Sequence, residues 1–223
     1  MPPRPLPICQ PIRLVLYEDP LSPWCLVAER RIVAAAEAIG QPYGKLRREP
    51  FPLRVEPAAM SRGERRALAA AARRASKEPE ARGVKPDLWL STDPPLSSMP
   101  VLTALFAARL QGEAREAALL DALREAALVR SVNVTRPDVL LELAERAGVH
   151  LGRFCSALAA PATERRVRET FEDQVASGIG GAPALVIGDE WLVAGARGAE
   201  EYHSILHRYA SERLGLAPLR TLH

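Results

Sequence analysis

The sequence predicts an α/β fold: a βαβ unit, a long block of helices, and a closing ββα unit. Three observations point to it. An apolar, β-rich run at residues 12–17 leads through a proline-punctuated loop into a long helical pattern. Across residues 58–178 the apolar spacing is almost wholly helical. Two short apolar runs then flank Gly188-Asp189-Glu190 as a hairpin, and an amphipathic segment follows. With 223 residues, 48% of them apolar, the chain suits one large domain or a small one carrying an insertion.

The elements follow in order. Residues 12–17 are a central strand candidate, and Asp19-Pro20 and Ser22-Pro23 turn the chain after it. Ser22 is a good helix N-cap, and Pro23 suits the first helical position, where its missing N–H is not needed. The helix is expected over residues 23–39 and stops at Gly40 and Pro42. Residues 45–51 are a second strand candidate. Helices are expected at 67–76, 101–111, 113–129, 137–147, 151–158 and 163–177, with Thr135 as the N-cap of the fourth. Strands at 184–187 and 191–193 and a helix at 199–214 close the chain, and residues 215–223 are expected to be a loose tail.

Without the helical block this order is βαβ…ββα, the thioredoxin arrangement. A thioredoxin-like sheet is therefore expected from residues 1–57 and 178–223, with a large all-helical insertion at 58–177. Ser22-Pro23-Trp24-Cys25 lies where such a fold places C-x-x-C, at the start of the first helix, but serine holds the first cysteine position.

Charge and cysteine content limit the function classes. The net charge is +3, too small to imply nucleic-acid binding. Residues 62–85 hold eight basic residues against three acidic ones, which suits a solvated surface helix or a patch for an acidic partner. No aromatic residues are interleaved to stack bases. Cys9, Cys25 and Cys155 are odd in number and widely spaced, unlike a disulfide framework. Cys9 and Cys25 stand on opposite ends of the first strand, up to ~26 Å apart if extended, so they are not expected to pair. No run approaches a membrane span or a signal-peptide core, so a cytoplasmic protein with reduced thiols is expected. His203 and His207 have zinc-ligand spacing without a third ligand, and no metal site is expected.

The motif residues carry a resemblance. Residues 19–25, Asp-Pro-Leu-Ser-Pro-Trp-Cys, resemble the D-P-x-C-P-W-C motif of cytosolic DsbA-like oxidoreductases of the polyketide-associated type. Residues 50–53 resemble the strand that follows in that family, and residues 178–188 resemble its cis-proline loop. The resemblance spans residues 11–212. The wider family includes kappa-class glutathione transferases and 2-hydroxychromene-2-carboxylate isomerases, in which a serine stands where Ser22 stands here.

Serine cannot exchange disulfides, but at a helix N-terminus its hydroxyl can donate a hydrogen bond to another molecule's thiolate. The resemblance implies that Ser22 and Cys25 are the reactive positions. It also implies that the Ala182–Pro183 bond is cis and faces Ser22, with Pro23, Trp24, Ala182 and Pro183 binding substrate. Glutathione is the implied cosubstrate, with no bound cofactor; the substrate is a small thiol or an extended peptide. Cys25 without a partner thiol also suits a packed, inert residue. Two alternatives stay open at this point: a non-catalytic binding protein with a protein partner, and an ordinary CPWC dithiol oxidoreductase carrying an engineered serine.

Overall fold

The structure, a computed structural model, describes residues 11–40 and 42–214. Strand β1 (Ile12–Glu18), helix α1 (Pro23–Ile39) and strand β2 (Tyr43–Pro50) form the first βαβ unit. β1 and β2 run parallel, with Leu16 opposite Arg48 and Tyr17 opposite Glu49. Strand β3 (Ala184–Ile187) pairs antiparallel with β1, and β4 (Trp191–Ala194) pairs antiparallel with β3. The sheet order is therefore β2-β1-β3-β4.

Between β2 and β3 lie α2 (Arg62–Ala75), α3 (Asp87–Leu90), α4 (Met99–Arg109), α5 (Glu113–Arg124), α6 (Pro137–Arg146), α7 (Leu151–Ala159) and α8 (Pro161–Ala176). Helix α9 (Ala199–Leu214) follows β4. This is the thioredoxin-like fold with a helical insertion. Cys9 and the expected loose tail at 215–223 lie outside the described residues.

Several boundaries differ from the sequence pattern for local reasons. α2 starts at Arg62 rather than Ala67, because Ser61 and Glu64 cap each other's backbone N–H groups. The short α3 was not anticipated. α5 ends in a wide π turn, Glu125–Val129, closed by the Arg130 N–H on the Glu125 carbonyl at 3.0 Å, where one continuous helix was expected. Arg136, not Thr135, is the N-cap of α6, because the Thr135 hydroxyl donates to Asn133 Oδ1 at 2.6 Å instead.

Helix α1 has its two sides committed to different cores. Ala28, Ile32 and Ala35 pack with Leu14 and Leu16 of β1 and with Tyr202 and Leu206 of α9. Leu26 and Val27 join the core of the helical block, with Leu88, Leu105, Leu119 and Phe154. The N-terminus of α1 therefore opens at the seam between sheet and insertion. At the far end of the sheet, Gly188 (φ +57°) and Asp189 (φ +65°) make the tight β3–β4 turn. A Cβ on Gly188 would lie 1.9 Å from the Tyr209 hydroxyl, so glycine is required there by space as well as by backbone.

Candidate functional site

Ser22 stands before the first turn of α1 with extended backbone (φ −93°, ψ 114°). Its carbonyl accepts from the Cys25 N–H at 3.1 Å, and its own N–H donates to the Asp19 carbonyl at 2.9 Å. It holds the N-cap position, but its side chain makes no cap hydrogen bond. The hydroxyl is instead a hydrogen-bonding neighbour of the Cys25 thiol.

Cys25 is fully buried. Burial pushes its thiol up to about 12, and the Glu18 carboxylate adds to the rise. Hydrogen bonds from the Ser22 side chain and from the Asp19 N–H, 3.5 Å from Sγ, pull weakly the other way. The helix N-terminus does not overcome this desolvation. Burial thus favours the protonated thiol at neutral pH, the less nucleophilic form. Cys155, on α7, is exposed.

Asp19 organises the loop that carries Ser22. Its Oδ1 accepts from the Leu21 N–H at 2.9 Å, and its Oδ2 accepts from the Leu53 N–H at 2.9 Å and from the Ser98 hydroxyl. The carboxyl is 1% exposed, and burial raises it while these three donors lower it. No cation is among the groups acting on it.

Behind Cys25 lies a buried ionic cluster. Arg124, from the end of α5, reaches both Glu18 and Glu29, and Arg48 donates to Glu29 at 2.7 Å. Burial pushes the Glu18 carboxyl up to about 7, with Arg124 opposing. Burial also works against the Glu29 carboxylate, but Arg124 and Arg48 together reverse it, so Glu29 is held below its ordinary range. The contrast follows from geometry: Glu29 is paired with two cations and Glu18 with one. Burial disfavours the Arg124 charge, yet its two carboxylates hold it firmly protonated.

In front of Ser22 is a cavity of about 200 Å³. Ser22, Pro23 and Trp24 form one side, Leu68, Ala71 and Trp89 of the insertion another, and Ala182 a third. The Ala182–Pro183 bond is cis. Pro183 itself is buried, and its carbonyl accepts from the Gly195 N–H at 2.8 Å. Ala182 precedes the paired residues of β3. The structure thus gathers Ser22, Pro23, Trp24 and Ala182 around one cavity and sets Cys25 behind it.

Sequence reasoning placed Asp19 only in the turn that opens the motif, and it gave no role to Ser98, Trp89 or Arg124. The signals were slight: an Asp-Pro pair after a strand, a serine beside α4, and one arginine at the end of an apolar helix face. His203 and His207 lie on α9 with ring centroids 6.3 Å apart. Among the described residues no cluster of His, Cys, Asp or Glu is arranged to hold a metal ion, and no helix is long and apolar enough to cross a membrane.

Comparison with known proteins bears on this geometry. A family model described as "DSBA-like thioredoxin domain" matches residues 13–209. No curated protein matches the sequence significantly. Among solved structures, a probable DsbA oxidoreductase from Streptomyces coelicolor is 22% identical with a TM-score of 0.72, covering 95% of this chain and 94% of its own. The cytosolic disulfide reductase DsbM from Pseudomonas aeruginosa, solved with GSH, is 22% identical with a TM-score of 0.65, covering 88% of this chain and 98% of its own. A 2-hydroxychromene-2-carboxylate isomerase is 15% identical with a TM-score of 0.65, covering 92% of this chain and 99% of its own. At these identities the likeness concerns the fold.

Proposed function

The chain belongs to the DSBA-like thioredoxin domain family, and we propose on that premise that it binds a small thiol, glutathione or a close relative, at Ser22. The observation that carries the reading is the division of labour within the motif. Ser22 faces a cavity shared with Ala182, while the motif's one cysteine is fully buried with its thiol pushed up to about 12. An incoming thiolate would sit at the N-terminus of α1, where the helix dipole favours an anion. The Ser22 hydroxyl would donate to its sulfur, and the Ala182 backbone would pair with the extended tripeptide as an added strand does.

Thiol-dependent chemistry follows from this arrangement. The bound thiol loses its proton to solvent, and the thiolate sulfur adds to the β-carbon of an unsaturated carbonyl compound held in the apolar cavity; the C–S bond forms as the C=C π bond breaks, and the resulting enolate takes a proton from solvent. Cys25 takes no covalent part; it supports the floor of the site. DsbM, a structural neighbour, was solved with GSH, and it is cytosolic. We place this chain in the cytoplasm on the same reading.

A second reading, a non-catalytic binding protein, is favoured by one observation. Leu53, 49% exposed, extends the apolar cavity to the surface, where an extended peptide could rest. Calorimetry with glutathione separates the two readings. The thiol reading expects saturable binding, weakened about tenfold or more in Ser22→Ala through loss of a hydrogen bond to an anion. No detectable heat at about 10 mM glutathione, far above the micromolar-to-millimolar range of ordinary substrates, would leave only the second reading.

A further inference from the structure

Helix α2 carries positive charge that the fold leaves unpaired. Residues 62–85 hold eight basic residues against three acidic ones. All three acidic side chains are engaged: Glu64 caps the backbone of Ser61, and Glu78 and Glu80 both hold Arg31 of α1. Arg65 turns to the Trp89 and Ser91 carbonyls. Arg62, Arg66, Arg73, Arg74 and Lys77 remain exposed, and none of them forms an ion pair among the described residues.

Other helices treat their surface charges differently. α6 joins Arg146 to Glu142 at 3.2 Å, α8 joins Arg168 to Glu164 at 3.4 Å, and α9 joins Arg208 to Glu212 at 2.7 Å, each pair four residues apart. In α2 the same spacing sets Arg66 after Arg62 and Lys77 after Arg73, so like charges meet and repel. The helix dipole welcomes a cation in the last turn, where Arg73 stands, and disfavours one in the first, where Arg62 stands. The stability of α2 therefore does not account for Arg62 and Arg66.

Geometry gathers these charges. At about 100° per residue, Arg62, Arg66 and Arg73 fall within about 40° of one another around the helix axis, along about 16 Å of its length. Ala70 lies beside them, half-buried, and lets another chain approach closely between the long side chains. Leu68 and Ala71, which line the Ser22 cavity, lie on the other side of α2, about 140° or more from the centre of this stripe. The stripe stays open when that cavity is filled.

The charge selects the occupant. Each guanidinium is a planar fork that pairs a carboxylate at two points. An extended segment, at about 3.3 Å per residue, spans the stripe in about five residues. Residues 62–85 contain no aromatic ring to stack bases. None of the large exposed apolar side chains is on α2 to enter a bilayer. We propose that this face of α2 docks an acidic segment of a protein partner, its carboxylates pairing with Arg62, Arg66 and Arg73. The proposal is independent of the thiol reading, since it uses no residue of the Ser22 cavity.

The test is an amide chemical-shift titration of the whole chain with end-capped hexaglutamate at low salt. Saturable shifts are expected at Arg66, Ala70 and Arg73, and added salt should reverse them. Arg62→Glu combined with Arg66→Glu should weaken hexaglutamate about tenfold or more. The same variant should keep or raise the thermal midpoint, because the dipole favours the new charges. Arg153→Glu combined with Arg165→Glu makes an equal charge change at exposed residues of α7 and α8 and should leave binding nearly unchanged. The proposal is overturned if shifts scatter over basic residues outside α2, if both double variants weaken binding equally, or if the α2 variant loses thermal stability. It is equally overturned if oligothymidylate or phosphatidylserine vesicles bind α2 more tightly than hexaglutamate does.

Discussion

Ser98 donates its hydroxyl to the carboxylate of Asp19, a residue 79 positions earlier in the chain. Ser98 stands at the N-cap of α4 and makes no side-chain cap for its own helix. The same carboxylate holds the Leu21 and Leu53 backbone N–H groups. Three segments therefore meet on one side chain: the loop before Ser22, the loop after β2 and the start of α4.

Replacement of Asp19 by Asn keeps the size and removes one acceptor, so an amide NH₂ meets a backbone N–H in a buried place. A loss of about 1–3 kcal/mol in urea unfolding is expected. Ser98→Ala, which frees one donor and leaves the carboxylate two others, should lose less, about 1 kcal/mol. Both should loosen the Ser22 loop, visible as a shifted Ser22 amide resonance. An unchanged Ser22 resonance in Asp19→Asn would show that the loop is held by other contacts.

The Cys25 thiol gives a pH signature. Its folded value, about 12, lies above the ordinary 9.0, so the native state keeps the proton longer than the unfolded chain does. The resulting stability is fully present below the ordinary value and is lost as pH rises from about 9 toward about 12. Urea melts of the natural chain and Cys25→Ala should therefore converge as pH is raised from 8 to 10.5. In the native protein iodoacetamide should label Cys155 and spare Cys25, checked by peptide mass spectrometry.

Arg124 is paired with two buried carboxylates, Glu18 and Glu29. Arg124→Met leaves both without it and should lower stability by about 3–5 kcal/mol. The loss should be larger at pH 8 than at pH 5. Glu18, already pushed up to about 7, takes a proton at the lower pH and then needs no counter-charge. Equal losses at both pH values would mean that Glu18 does not change its protonation between them.

Ser22→Cys restores a dithiol at the start of α1. A thiol at that N-terminus is expected to ionise more readily than free cysteine, and Cys25 stands one turn further on. Insulin reduction should appear in the variant and be absent from the natural chain. A folded variant without that activity would assign the block to the burial of Cys25 rather than to the missing thiol.

The sequence made the fold legible because its elements are punctuated strongly. Ser22-Pro23 and Gly40 bound α1 in the structure as in the pattern. Gly188-Asp189 likewise announced the hairpin. Within the insertion the signal weakened: α2 buries only alanines, Ala69, Ala72 and Ala75, and its start is set by the Ser61–Glu64 cap. Ser22, Pro23, Trp24 and Ala182, which line the cavity, could be named through the family resemblance that two local motifs carry. The pairings of Asp19, Ser98 and Arg124 could not be read, because each acts on a residue distant in sequence. Long-range pairing of buried polar groups leaves no periodic trace in a chain.

Helix α1 has a further consequence. Leu26 and Val27 face the insertion core while Ala28 and Ile32 face the sheet core. Each residue advances a helix by about 100°. A single-residue insertion or deletion between Ser22 and Ile32 would turn every downstream side chain out of both cores at once. Chain length in this stretch is therefore fixed more strictly than residue identity. Serine could replace cysteine at the mouth of the helix with the frame intact, whereas no shift of reading register along α1 could be absorbed.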